Sequence, residues 1–485
     1  MRSLRVMRFP LPQKPACCAE TLENSGFRPS RFVAGSEMTI AGCAPMSVWR
    51  RHRRFLLAGI AAVFSSLLSW RVAAEDIGDA MTWALRSDTS LKSDTWRQKA
   101  TEARLRGSIE AFLPTVEFQQ QTIINSHLVY SPTMPVLPND SFARREPDQY
   151  GVQATLPLFD GFKRYNTYQA AKLAVEAGLY VTRNARQQVM LDAAAAYLAV
   201  ARDRAIVGYR AEQLAAIEHT RTMTEKRYEL RDNTMTDVSL AQSRVEGARI
   251  ALEAARSDLA TSETEFRRIT GNAPGRFTLP RTPEALLPKS RDDLRLALLA
   301  ENPQLAAARL DAKAAKYQAE AVKSEFLPTV NLVGSYGQAE HTTPFTPKIN
   351  DSTIKLQVRI PLYQPGAYSH IEEAKALAIQ KNYDVIDGER KTVSNAESLF
   401  DTRRSLVRQT AEAEARVAAM RKAVAGYRIE QDAGYRTIVD TLNALNELTE
   451  AQVFVAQMAY TRDKATFMLV AALGRLTDEE RIAAR

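Results

Sequence analysis

Residues 354–362 read IKLQVRIPL, and the alternation of polarity within them decides the fold. Ile354, Leu356, Val358, Ile360 and Leu362 take the even positions, while Lys355, Gln357 and Arg359 take the odd ones. A period of two sends successive side chains to opposite sides of an extended chain, so this is a strand with one apolar and one polar face. A weaker partner precedes it, in which Tyr150, Val152, Ala154, Leu156 and Leu158 alternate with Gly151, Gln153 and Thr155. Both strands run into a Pro-Leu-aromatic triplet, Pro157-Leu158-Phe159 and Pro361-Leu362-Tyr363. The string FLPTV also occurs twice, at 112–116 and 326–330, each time before a strand-like stretch. In the second stretch Val330, Leu332 and Tyr336 alternate with Asn331 and Ser335; in the first, Val116 and Phe118 begin a pattern that Gln120 spoils. The FLPTV strings are 214 residues apart and the triplets 204, so the first hairpin connection is longer by about ten residues, and tandem duplication accounts for the pairing.

The chain has 485 residues, 45% of them hydrophobic, which excludes wholesale disorder. Its formal charge of +9 misleads. Residues 1–74 carry eleven Lys/Arg and three Asp/Glu, leaving 54 basic against 53 acidic side chains in the rest, so a nucleic-acid partner loses its main support. In that leader Arg50, Arg51, Arg53 and Arg54 precede an apolar run over 55–70, and Val72-Ala73-Ala74 offers small residues for cleavage before Glu75. This is the layout of a secretory signal peptide, and the run is shorter than the ~20 residues of a membrane anchor. Met46 is then the expected start of translation, and Ile40-Ala41-Gly42-Cys43, lacking an apolar segment before it, is a chance match to a lipid-attachment box. Cys17, Cys18 and Cys43 all lie in the leader, so the processed chain is expected to contain neither disulfides nor thiol chemistry.

Residues 162–230 contain no proline and two glycines, and as one helix they would extend about 100 Å at ~1.5 Å per residue. Residues 368–429 are similar, and each long helix breaks at a short turn and returns. The first return carries Val238, Ala241, Val245, Ala248, Leu252, Ala255 and Leu259 at alternating spacings of three and four, a heptad seam. The second is looser, with Ala444, Leu448, Ala451, Val455 and Met458 before Arg462 interrupts it. Taken alone, a two-faced strand suits a soluble sandwich, but only four plausible strands stand among helices far too long to cover a small sheet. Placed in a bilayer, four strands leave unpaired edge N–H and C=O groups at several kcal/mol apiece. The smallest bacterial barrels need about eight strands, so several chains must share one, and two or three copies suffice by count. The odd-numbered face, with Gln153, Thr155, Lys355, Gln357 and Arg359, would line a wet interior.

The second long helix turns back through Gly426, Glu430, Gly434, Arg436, Thr437, Asp440, Leu442 and Ala444, spaced as G-x-x-x-E-x-x-x-G-x-R-T-x-x-D-x-L-x-A. This resembles the turn of the TolC-like outer-membrane efflux protein family, and the paired FLPTV and Pro-Leu-aromatic segments extend the resemblance over nearly all of 75–476. In the first-copy turn, residues 227–241, Arg231 stands where Gly434 would align. The resemblance implies a mainly helical chain with a small transmembrane β part, two long antiparallel helical hairpins forming a periplasmic tunnel, and four strands contributed to a 12-stranded barrel of a homotrimer. It also implies a passive exit duct in the outer membrane, reaching into the periplasm and docked to a periplasmic adaptor and an inner-membrane transporter, for small molecules or for type I protein secretion.

By motif alignment Asp237, Arg436 and Asp440 match the polar network that shuts the tunnel tip, with Gln431 and Asn443 where relatives can carry a tyrosine and a second aspartate. Read from the residues alone, Thr234-x-x-Asp237 and Thr437-x-x-Asp440 equally fit helix-start capping boxes. Arg436 precedes a helix start, where the dipole disfavours a cation, so a carboxylate partner across helices is expected. The domain scheme is a leader (1–74), a first repeat (75–291), a second repeat (292–476) and a tail (477–485). His52, His127, His219, His341 and His370 lack metal-ligand spacing, and neither a phosphate loop nor a nucleophile elbow occurs, so no enzyme, cofactor or metal is expected. The rival class is a periplasmic coiled-coil adaptor, which would be extracted without detergent.

Overall fold

The computed structural model describes residues 76–122, 126–128, 143–145, 148–278, 282–343 and 346–476. The chain divides into two units, 1–71 and 72–485, and every described residue lies in the second. The expected signal peptide, its cleavage site and the tail 477–485 fall outside the described residues.

Two helices open the unit. Helix α1 (Ile77–Ser87) starts at a capping box between Asp76 and Asp79, which satisfies N–H groups that a helix start leaves free. Helix α2 (Thr89–Glu110) follows, capped by Asp88. Proline at 114 disfavours helix for its predecessor, and strand β1 (Thr115–Thr122) begins directly after it. FLPTV is thus a helix-to-strand switch. Short strands β2 (Ser126–Leu128) and β3 (Ala143–Arg145) pair with each other, and β4 (Asp148–Phe159) returns beside β1. Gly161 and Phe162 both adopt left-handed conformations, turning the chain into α3 (Lys163–Glu229), a 67-residue helix answered by α4 (Met235–Thr270).

The order then recurs: α5 (Arg291–Glu301), α6 (Pro303–Lys323), β5 (Thr329–Thr343), β6 (Thr346–Arg359), the 66-residue α7 (Ala367–Asp432) and α8 (Ile438–Ala472). One detail departs from the sequence reading. The first hairpin carries the additional strands β2 and β3, too short to show a period, so the described strands number six rather than four. Before the second FLPTV the chain forms two helices rather than one, because Asn302 caps α6 and Pro303 takes its first position. Arg462, which interrupts the looser seam of the second return helix, lies well inside that helix. It pairs with Asp463 at 2.8 Å, and Ala465, Thr466, Phe467, Leu469 and Val470 beyond it are buried. The looser pattern has a physical reason: α8 packs against both α7 and α3, so burial is not confined to one stripe.

Strand order in the main sheet is β1-β4-β5-β6, antiparallel throughout, so the two repeats join at β4 and β5. The largest core gathers α1, the middle of α3, the end of α4 and the end of α8: Ile77, Met81, Ala193, Ala194, Tyr197, Phe266, Phe467 and Val470. Tyr197 stacks on Phe277 with ring centroids 4.1 Å apart and donates its hydroxyl to the Thr278 carbonyl at 2.8 Å, which ties the connector between the repeats to α3. The buried Gln187 amide donates to the Leu476 carbonyl at 2.7 Å and accepts from its N–H at 3.0 Å, holding the chain there as a paired strand would. Among the described residues no helix is long and apolar enough to cross a membrane.

Candidate pore surface and tunnel tip

Cross-strand register assigns each sheet residue to a face, because directly opposed residues point the same way. One face carries Val116 with Ala154, Gly334 and Ile354; Phe118 with Val152 and Tyr336; and Leu156 with Leu332 and Leu356. The other carries Glu117 with Gln153, Ser335 and Thr353; Thr115 with Thr155, Val333 and Lys355; Asn331 with Gln357; and Thr329 with Arg359. Gln153, Thr155, Lys355, Gln357 and Arg359 therefore share one side of a single sheet. The apolar side is open: Ile354 is 84% exposed, Leu356 61% and Phe118 67%. Large apolar patches are rare on monomeric soluble proteins, so this one calls for a covering phase. The free flanks of β1 and β6 are equally incomplete.

At the sheet's root, cations are neutralised locally. Lys163 meets Glu325 at 2.9 Å, and Arg164 meets Asp160 at 2.7 Å while donating to the Pro157 carbonyl.

The opposite ends of the long hairpins form two adjoining turns. In the second, Gly434 takes φ +79° after α7, and the Thr437 hydroxyl accepts from the Asp440 N–H at 3.3 Å while Asp440 Oδ2 accepts from the Thr437 N–H at 3.2 Å. Thr234 and Asp237 repeat this box at 3.2 and 3.0 Å in the first turn. Both aspartates are thus helix caps. Each cap engages Oδ2, and among the described residues Oδ1 of neither aspartate accepts a hydrogen bond. The Thr437 hydroxyl, then its N–H, holds the Asp440 carboxyl below the usual carboxylate range.

Arg436 does find a carboxylate: its Nε donates to Glu430 Oε2 at 2.9 Å, and its guanidinium lies 4.8 Å from the Tyr427 ring centroid. The partner sits six residues back at the end of α7, so the bond spans the turn of one hairpin rather than two hairpins. The bridge between hairpins is Arg227, whose guanidinium meets Asp432 at 3.0 Å and the Gln431 carbonyl at 3.3 Å. Sequence reading passed over Arg227, since no local pattern says that residues 204 and 205 positions apart will touch. Asn443 accepts from Arg244 at 3.3 Å, a second link between the return helices. Gly426 lies inside α7 with open space beside it, and nothing in the chain's own packing requires a glycine there. These turns border a cleft of about 530 Å³ lined by Arg227, Asp237, Gln431, Asp432 and Arg436 among others. Among the described residues no cluster is placed to hold a metal ion.

Arg231 has φ +67°, the same left-handed conformation as Gly434, so the two turns share one geometry despite different residues. A side chain in that region costs about 1 kcal/mol. Arg231→Gly should therefore slow hydrogen exchange of the first-turn amides roughly fivefold, and Gly434→Ala should speed it in the second by as much. Equal exchange in each variant and its parent would refute the strain argument.

Comparison with known proteins agrees with this geometry. A family model described as outer membrane efflux protein matches residues 82–272 and 294–475. The outer membrane efflux protein BepC of Brucella suis is 30% identical over 377 residues, 75% of this chain and 82% of that protein. The alkaline protease secretion protein AprF of Pseudomonas aeruginosa is 25% identical over 354 residues, 68% of this chain and 73% of that one. Among solved structures, the Campylobacter jejuni CmeC outer membrane channel superposes with a TM-score of 0.71 at 14% identity, over 86% of this chain and 93% of the other.

Proposed function

The chain belongs to the outer membrane efflux protein family and is an outer-membrane efflux channel, not an enzyme, and from that premise we propose how it is assembled and what it serves. Three copies close one barrel of twelve strands, and the helical hairpins continue it as a tunnel in the periplasm. The observation that carries this is the sheet of unlike faces with both flanks unpaired: only neighbouring copies can satisfy its edges while lipid covers its apolar side. Gln153, Thr155, Lys355, Gln357 and Arg359 line the bore. The repeats run over 75–291 and 292–476, supported by their recurring element order.

The duct is passive and takes cargo from a periplasmic adaptor and an energised inner-membrane transporter. Relatives named for efflux and for protease secretion leave small toxic molecules and unfolded polypeptide as its two cargo classes. At the tip, Asp237, Arg436 and Asp440 belong to the closing network. Capping and closing are compatible roles, because each cap leaves Oδ1 free to receive a donor from an adjacent subunit. Of the turn-motif residues, Glu430, Gly434 and Thr437 set the path of the turn that presents them, through the Arg436 bond, the left-handed backbone and the cap, while Gly426 lies one turn and more back within α7. Crosslinking in intact cells, followed by detergent extraction and mass spectrometry, should recover a threefold species with an adaptor and a transporter attached. A monomer recovered in detergent-free buffer would refute the assembly.

A further inference from the structure

Charge on the polar face of the sheet is unevenly placed. Lys355 and Arg359 project from β6 on the half nearer the helices, four residues apart, about 13 Å at the usual rise of an extended chain. The carboxylates of the same face, Glu117 and Asp351, lie on the loop side of Lys355 in the register. Opposite Lys355 stands Val333 and opposite Arg359 stands Thr329, so β5, the strand paired with β6 within the chain, supplies no counter-ion. Among the described residues neither cation has an ion-pair partner, whereas Lys163 and Arg164, just beyond the sheet, each have one. Both side chains are exposed. A cation left unpaired inside a membrane protein faces water and acts on what passes through that water.

We propose that Lys355 and Arg359 form two cationic rings at the tunnel end of the bore and make the barrel selective for anionic solutes. The inference rests on the polar face lining the bore of a three-chain barrel. Threefold symmetry puts the three copies of each residue at one height, so each ring holds three positive charges whatever the tilt of the strands. The spacing of about 13 Å exceeds the ~8 Å screening length of physiological salt, so the rings act in series rather than as one patch. Rings of basic side chains favour anions by direct attraction within a narrow wet passage.

The test uses the full-length channel in planar bilayers under a potassium chloride gradient. Replacing both residues, Lys355→Gln with Arg359→Gln, should lower the chloride-to-potassium permeability ratio about threefold or more, and Lys355→Glu with Arg359→Glu should lower it further. Single cysteines test the premise separately, since positions 75–476 contain none. Lys355→Cys should react with a charged, water-soluble thiol reagent and Leu356→Cys should not. An unchanged permeability ratio with Lys355→Cys labelled would overturn the selectivity while leaving the bore intact. Labelling of Leu356→Cys but not Lys355→Cys would overturn both.

Discussion

Leu356→Arg should abolish assembly in the outer membrane, while Gln357→Arg, one residue along the same strand, should assemble normally. Leu356 is 61% exposed in the single chain, so the substitution removes little packing within the protomer. The penalty comes from lipid. An arginine on the outer face of a barrel costs about 2–4 kcal/mol near the bilayer midplane, and a trimer bears it three times. A total of roughly 6–12 kcal/mol is comparable with the whole stability of a typical domain. At Gln357 the new guanidinium would enter the bore and stay hydrated. Membrane fractionation and the yield of detergent-resistant trimer measure both variants. If Leu356→Arg assembles and Gln357→Arg does not, the two faces have been exchanged.

The second large effect is expected at Arg227. Beside the apolar packing and the Arg244–Asn443 bond, each protomer links its two hairpin tips through this guanidinium, with Asp432 and the Gln431 carbonyl as acceptors. Exposed ion pairs contribute about 1 kcal/mol at most, and one such link would barely shift an equilibrium between closed and open tips. Three copies opening together multiply the effect. Losing about 3 kcal/mol in a concerted step changes the ratio of open to closed channels by roughly a hundredfold. Arg227→Ala should therefore raise single-channel conductance sharply. Arg436→Ser breaks a bond within one hairpin, so it should act more weakly unless an adjacent subunit also uses that guanidinium. Equal closed-state conductance in wild type and Arg227→Ala would remove the bridge from the gate. An unchanged closed-state conductance in Arg436→Ser would remove Arg436 from it.

Much of the architecture is legible before any coordinates. The alternation in 354–362 is a local period, and the absence of proline over 162–230 is a local condition for one long helix, so both are read without knowing the tertiary contacts. The capping boxes at Thr234 and Thr437 were equally visible, because a cap is an arrangement of residues three positions apart. Strands β2 and β3 were not, since three residues are too few to show a period. The looser seam of the second return helix has a related cause: a helix with two neighbours buries more than one stripe, so its heptad is interrupted at Arg462 while the helix runs on.

Period and spacing thus determined from the sequence the long strands and the long helical hairpins, which strand positions share a side, and where the two return helices begin. Folding in three dimensions decided that β4 lies against β5 and that Arg227 reaches Asp432. The physical reason is range. A residue's side of a strand depends on its immediate neighbours, whereas a contact between positions some two hundred apart depends on the path of every helix between them.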